Sequence, residues 1–247
     1  MKQNILAEIT YDGTLFYGWQ RQKADIPTVQ KTLEEALFKL FGQSVKTYAS
    51  GRTDRGVHAY RQVVNFFIPR SLPLVNIKKA LNSFLPAAVR IIKVKKAGYD
   101  FHARFSAHNK TYRYIILNSA RPDVFWRNYA WFIPQKLDVA GMAEAAQILK
   151  GERDFSSFVK GASRKDCRRK VYNVKVKKRG RFVYIDIEAN GFLYGMARAM
   201  VRALVDVGQR KLSLLGLRKA IAARQRKFIG KDAPACGLYL MKVDYNG

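Results

Sequence analysis

Residues 49–59 read ASGRTDRGVHA and set one carboxylate, Asp54, between two guanidinium groups, Arg52 and Arg55, inside a bracket of two glycines, Gly51 and Gly56. Glycines in such places permit positive φ and the close approach of another backbone. An arginine beside Asp54 holds the carboxylate ionised and nucleophilic, and can also grip a phosphate. The same residues equally suit a tight turn in which Asp54 only caps its own backbone. Local chemistry leaves both readings open. The three histidines, His58, His102 and His108, and the two cysteines, Cys167 and Cys236, fall in no metal-ligand or disulfide-framework spacing. No metal and no cofactor is expected, and the thiols fit a cytoplasmic setting.

The elements that must position this loop follow from apolar periodicity. The first half predicts strand 4–11, helix 28–42, strand 44–49, strand 61–68, helix 74–85 and strand 89–97. In the first helix Val29, Leu33, Ala36, Leu37 and Leu40 share one face, with Thr28 as N-cap and Gly42 as stop. Pro73 and Pro86 bracket the second helix. The second half predicts strand 107–118, a helix capped by Asp138 and running to about Gly151, strands 171–179 and 182–189 joined by a turn at Arg179-Gly180-Arg181, helix 193–208, a short helix from Ser213 and strand 238–243. Each half thus has the order β-α-β-β-α-β. The expected fold class is α+β: two ferredoxin-like halves, residues 1–105 and 106–247, with mainly antiparallel sheets joined into one platform and a catalytic cleft between them. The loop at Asp54 then lies between two strands, and a sheet of this kind suits RNA recognition.

Charge narrows the partner. The chain of 247 residues carries 46 Lys and Arg against 18 acids, a net charge of +28, with 48% hydrophobic residues for a core. The surplus is uneven. Residues 1–60 hold eight basic and six acidic side chains, residues 61–118 eleven and one, residues 160–181 eleven and one, and residues 210–231 eight and none. Such clusters call for a polyanion, and nucleic acid is the default. No apolar run reaches the roughly 20 residues of a membrane span, no signal-peptide pattern opens the chain, and the cations follow no single amphipathic helix, so no membrane partner is expected.

The loop at 49–59 resembles the GRTDxGVHA motif of the tRNA pseudouridine synthase A (TruA) family. ITYDGTLFYGWQRQ (9–22) resembles that family's opening segment, and FHARFSAHNKTYRYII (101–116) its FxARFSAxxxxYxY segment. DFSSF (154–158), ANGFLYGMARAMV (189–201) and GLYLMKVDY (237–245) follow in the family's order. The resemblance implies an isomerase, a cytoplasmic homodimer, that converts uridine to pseudouridine at positions 38–40 in the anticodon stem-loop of tRNA. Other implied possibilities are the same chemistry on another tRNA position or on ribosomal RNA, or a non-catalytic RNA-binding protein or RNA chaperone of this fold.

By that resemblance Asp54 is the catalytic carboxylate. The reaction cuts the C1′–N1 bond, turns the base and joins C1′ to C5, so it oxidises nothing and loses no group. The carboxylate either attacks C1′ or removes the C2′ proton to give a glycal, on a base taken out of its stack. Arg198 is the implied partner that keeps Asp54 charged. Tyr112 is the implied stacking aromatic, with Tyr114 on the same side of its strand and Arg113 opposite. Arg52 and Leu238 are implied substrate contacts, and Arg52, Arg55, His58 and Arg104 implied RNA contacts. Asp12, Gly13, Trp19 and Gln20 match the opening segment and are implied to shape the cleft. Gly195 stands where the family commonly has histidine, and Arg202 where it has a small residue. The excess charge, above all at 160–181, also departs from the family and points to stronger backbone binding or a different RNA target.

Overall fold

The computed structural model describes residues 3–160 and 166–245, so Arg164 and Lys165 of the basic run lie outside the described residues. The first elements are β1 (Gln3–Tyr11), α1 (Val29–Phe41), β2 (Thr47–Ala49), β3 (His58–Ile68), α2 (Leu74–Phe84) and β4 (Val89–Lys96). Then come β5 (Asn109–Asn118), β6 (Trp131–Ile133), α3 (Val139–Ile148), β7 (Gly151–Asp154), β8 (Arg168–Arg179), β9 (Phe182–Ala189), α4 (Met196–Gly208), α5 (Leu214–Ala222) and β10 (Leu238–Asp244). The class is α+β, and two compact units divide the chain: Met1–His108 with Tyr239–Gly247, and Asn109–Leu238.

In the first unit the strands run β4-β1-β3-β2, every neighbour antiparallel, which is the ferredoxin-like arrangement. β1 alternates, turning Ile5, Ala7, Ile9 and Tyr11 inward. α1 buries Val29, Leu33, Ala36 and Leu37, each worth roughly 1.5–3 kcal/mol for a full-sized apolar side chain. Its ends are those expected: the Thr28 side chain accepts from the Lys31 N–H, and Gly42, at φ 72°, returns its N–H to Phe38 O. β2 is shorter than the expected 44–49. The Glu34 carboxylate takes both the N–H and the hydroxyl of Thr47, at 3.1 and 3.0 Å, and pairing with β3 begins only there.

That short strand leaves part of one edge of β3 open. β10 runs parallel into it, with Tyr239 opposite His58 and Leu240 opposite Ala59. β3 therefore starts at His58, three residues before the expected Arg61, and the C-terminal strand groups with residues Met1–His108 rather than within a 106–247 half. Element order along the chain could not show this, because the ladder joins residues about 180 positions apart.

In the second unit β5-β9-β8-β7 is antiparallel throughout, and β6 lies parallel to the end of β5. Neither β6 nor β7 is expected from periodicity; at three and four residues they are too short to show a period. α3 ends at Ile148, and Gly151, at φ 98°, turns the chain into β7, which extends β8 back to Arg168. Asp138 caps α3 through the Gly141 N–H at 2.9 Å, and Ser213 caps α5 through the Gly216 N–H at 3.0 Å. α4 begins at Met196 rather than at 193, because Gly195 adopts φ 76° and breaks the helix there. No helix among the described residues is long and apolar enough to cross a membrane.

Candidate active site

The Asp54 loop fills the gap between β2 and β3, and buried polar side chains tie it down. Gln62, fully buried on β3, donates to Gly51 O at 2.8 Å and accepts from the Ser50 hydroxyl at 2.6 Å. The Tyr11 hydroxyl lies 2.9 Å from Thr53 Oγ1 and 3.5 Å from Gln62 Nε2. Burial pushes the Tyr11 phenol up to about 12, although the Thr53 and Gln62 contacts pull the other way. It therefore stays neutral beside the loop at ordinary pH. Backbone bonds complete the hold: Ser50 N–H to Val63 O at 2.8 Å, Trp19 N–H to Thr53 O at 3.0 Å, and Val57 N–H to Asp54 O at 3.1 Å. The last of these closes a turn over residues 54–57 through main-chain groups.

The opening segment packs its backbone directly on this loop. A Cβ added at Gly13 would stand 2.1 Å from Val57 O, and one at Gly18, where φ is +90°, 2.6 Å from Thr53 O. Only glycine allows so close an approach. Asp12 Oδ1 accepts from the N–H and hydroxyl of Thr14, at 2.9 and 2.6 Å, and lies 3.2 Å from His58 Nδ1. Trp19 is core, 2% exposed.

The loop residues divide by exposure. Thr53 and His58 are buried, Asp54 is half-buried, and Arg52 and Arg55 stand in solvent. Arg55 lies over the Tyr17 ring at 4.0 Å, a cation–π contact. His58 accepts the Gly13 N–H on Nδ1 at 3.0 Å and stacks on Tyr239 at 4.6 Å. It is thus a brace between two loops and the last strand, not a surface group awaiting RNA. Arg104 is exposed, on the turn after β4.

Tyr112, Arg198 and Leu238 belong to the second unit. Tyr112 stands opposite Ile187 in the β5–β9 ladder, is 7% exposed, and meets Phe192 edge-on at 4.8 Å. Tyr114 shares its side, fully buried, and donates to Pro234 O at 2.7 Å, while Arg113 on the other face forks onto Asp186 at 2.7 and 2.9 Å. Arg198, in the first turn of α4, donates from Nε to Ala233 O at 2.7 Å, and its own carbonyl accepts the Ala233 N–H at 3.2 Å. Arg202 pairs with Asp206 at 2.9 and 3.0 Å, a surface ladder one turn further on. Gly195 takes φ 76°, where a side chain is strained, and an added Cβ would lie 3.1 Å from Lys160 Cβ. Leu238 is 5% exposed at the start of β10. Burial pushes the Cys236 thiol up, with Arg198 pulling it down.

Sequence reading missed the residues that hold the loop. Tyr11 and Ser50 lie inside the motif segments 9–22 and 49–59 without a reacting role of their own, and Gln62 lies outside both. The available signal was a pair of polar residues, Gln62 and Asn65, set into the apolar run of β3.

Comparison with known proteins bears on these residues. The family model described as tRNA pseudouridine synthase matches residues 7–106 and 145–246. A tRNA pseudouridine synthase A of Moorella thermoacetica is 44% identical over 96% of this chain and 97% of its own length. Its counterpart in Caldicellulosiruptor bescii is 43% identical over 98% of this chain and all of the relative. That of Geobacillus kaustophilus is 43% identical over 99% and 95%.

Proposed function

The chain belongs to the tRNA pseudouridine synthase family, and we propose that it isomerises uridine to pseudouridine at positions 38–40 of the tRNA anticodon stem-loop, as a cytoplasmic homodimer. The observation that carries this reading is the Asp54 loop: a half-buried carboxylate on a backbone fixed by Gln62, Tyr11 and two close-packed glycines, in a chain similar to its relatives from end to end.

In this reading Asp54 meets the ribose of an extruded uridine. Its fixed backbone matters because a nucleophile gains from being held near its attack geometry before the substrate arrives. Arg198 keeps the carboxylate ionised, Tyr112 stacks on the uracil, and Leu238 lines the base pocket. Arg52, exposed beside Asp54, fills the vacated stack or holds a phosphate; Arg55 and Arg104 meet backbone phosphates. The surplus of +28 supplies attraction without sequence preference. The homodimer would let one tRNA lie across basic surface from two copies.

The experiment is incubation with unmodified total tRNA, with tritium release from C5-labelled uridine as the readout and pseudouridine mapping of the product. Release with the natural chain and none with Asp54→Asn is expected, with product at positions 38–40. Release by Asp54→Asn would sink the catalytic role, and product mapped only to other positions or to ribosomal RNA would replace the target.

A further inference from the structure

The turn after β4 carries a large apolar ring into water: Phe105 is 76% exposed. The backbone beneath it is tightly held. The His102 N–H donates to Ser106 Oγ at 3.1 Å, the Ser106 N–H to His102 O at 2.9 Å, and the Arg104 N–H to His102 Nδ1 at 3.1 Å. Two buried asparagines in the sheet hold the turn from below. Asn65 accepts the Ala103 N–H at 2.8 Å and donates to Phe101 O at 3.3 Å, while Asn4 donates to Gly98 O and Phe101 O at 2.9 Å each. The Tyr245 hydroxyl adds a bond to Ala103 O at 2.7 Å. Buried amides are costly unless satisfied, and these spend their bonds on holding this turn. The exposure of Phe105 is therefore built into the fold.

The ring does not stand alone. Phe105 meets His102 at 4.5 Å, and His102 meets Tyr48 at 5.1 Å, so three rings run in sequence from β2 out to solvent. A cation sits over each end: Lys46 over Tyr48 at 5.4 Å and Arg104 over Phe105 at 5.5 Å. From Tyr48 the chain passes straight into Ser50 and the Asp54 loop.

We propose that Tyr48, His102 and Phe105 form a stacking platform for an unpaired nucleobase of the RNA substrate, with Lys46 and Arg104 holding phosphates on either side. This rests on the RNA-modifying reading above and adds a contact to it. Taking a uridine out of its stack leaves neighbouring bases with an exposed face, and aromatic side chains accept such faces whatever the base. Charge chooses between the possible occupants. An apolar protein segment would gain from Phe105 but not from two flanking cations, whereas a nucleotide offers a π-face and a phosphate together.

The test places Phe105→Ala, Phe105→Leu and Phe105→Trp in an Asp54→Asn chain, which binds without turnover, and titrates each with unmodified tRNA. A second tRNA carries 2-aminopurine at unpaired anticodon-loop positions as a stacking reporter. Phe105→Ala and Phe105→Leu are expected to bind about 5- to 150-fold more weakly, the loss of one base stack, and Phe105→Trp to bind as the parent does. Quenching of the reporter on binding the parent should vanish with Phe105→Ala. With Asp54 intact, KM should rise by the same factor while kcat stays within about twofold. Leucine performing as well as tryptophan, or alanine binding at parental affinity, overturns the platform. A natural chain that binds and modifies tRNA alongside an unaffected Phe105→Ala removes the platform alone. A parent that binds no tRNA removes the proposed function and the platform with it.

Discussion

The Asp54 loop and the Tyr112 and Arg198 side chains are held by opposite means. The loop has no regular secondary structure, so its backbone groups find partners one by one: Gly51 O in Gln62, Thr53 O in Trp19, and the Gly56 N–H in Phe16 O at 3.3 Å. Tyr112 and Arg198 inherit their places from a strand ladder and a helix turn, whose repeating bonds need no special side chain. A side chain on a loop thus depends on buried polar residues and close-packed glycines elsewhere in the sequence. One on a strand or helix depends mostly on its own element.

If that contrast holds, substitutions in the two places differ in kind as well as in size. The largest effect is expected from Asp54→Asn: loss of turnover by about a thousandfold or more, with thermal stability almost unchanged, since a half-exposed carboxylate contributes little to the core. Calorimetry beside the tritium assay checks both halves, and a large stability loss would mean that the residue's place is structural.

Next comes Gly13→Ala. The added methyl must displace Val57 O from 2.1 Å, so the loop shifts, at a cost of about 1–3 kcal/mol in urea unfolding and tenfold or more in kcat. Undiminished kcat would show that the loop position is not critical.

Tyr11→Phe should be milder and should depend on pH. It removes the contact to Thr53 and costs about 1 kcal/mol near neutrality. The folded phenol, pushed up to about 12 from 10.0, keeps its proton while the unfolded one ionises. Its stabilisation is therefore complete below pH 10 and is lost as pH climbs towards 12, about 3 kcal/mol in all. Phenylalanine lacks that loss, so the stabilities of the two proteins should converge or cross in alkaline unfolding curves; a constant gap would refute the buried phenol.

Smallest is Arg202→Ala in the second unit. It removes an i,i+4 pair to Asp206 on a helix surface, worth about 0.3–0.5 kcal/mol by urea unfolding. A loss of several kcal/mol would mean that α4 depends on side-chain ties as the loop does.

The elements were legible to different depths. The caps of α1, α3 and α5 at Thr28, Asp138 and Ser213 stand where the sequence puts them, because capping depends on residues within one turn. The chain also showed strand 182–189 and the turn at Gly180. β6, β7 and the placement of β10 beside β3 were not visible, since each exists through pairing with a distant strand. Asp54 could be named from its motif, but its clamp could not. Gln62 reads as an ordinary polar strand residue until the fold sets it against Gly51. His58 shows the reverse: it sits within the motif, yet the fold buries it as a brace.

By itself the sequence determined what depends on residue type and near neighbours: an α+β chain, a polyanion-seeking charge, helix ends, and a carboxylate between arginines inside a family motif. The tertiary structure alone decided which neighbours make that carboxylate's loop rigid, which motif residues reach solvent, and that Asn4 and Asn65 hold the turn that carries the exposed Phe105 ring. The physical reason is range. Caps and periodicity act over a few residues, whereas buried hydrogen bonds and close backbone packing join Tyr11 to Thr53, Gly13 to Val57 and Asn4 to Phe101, pairs that are neighbours only once the chain has folded.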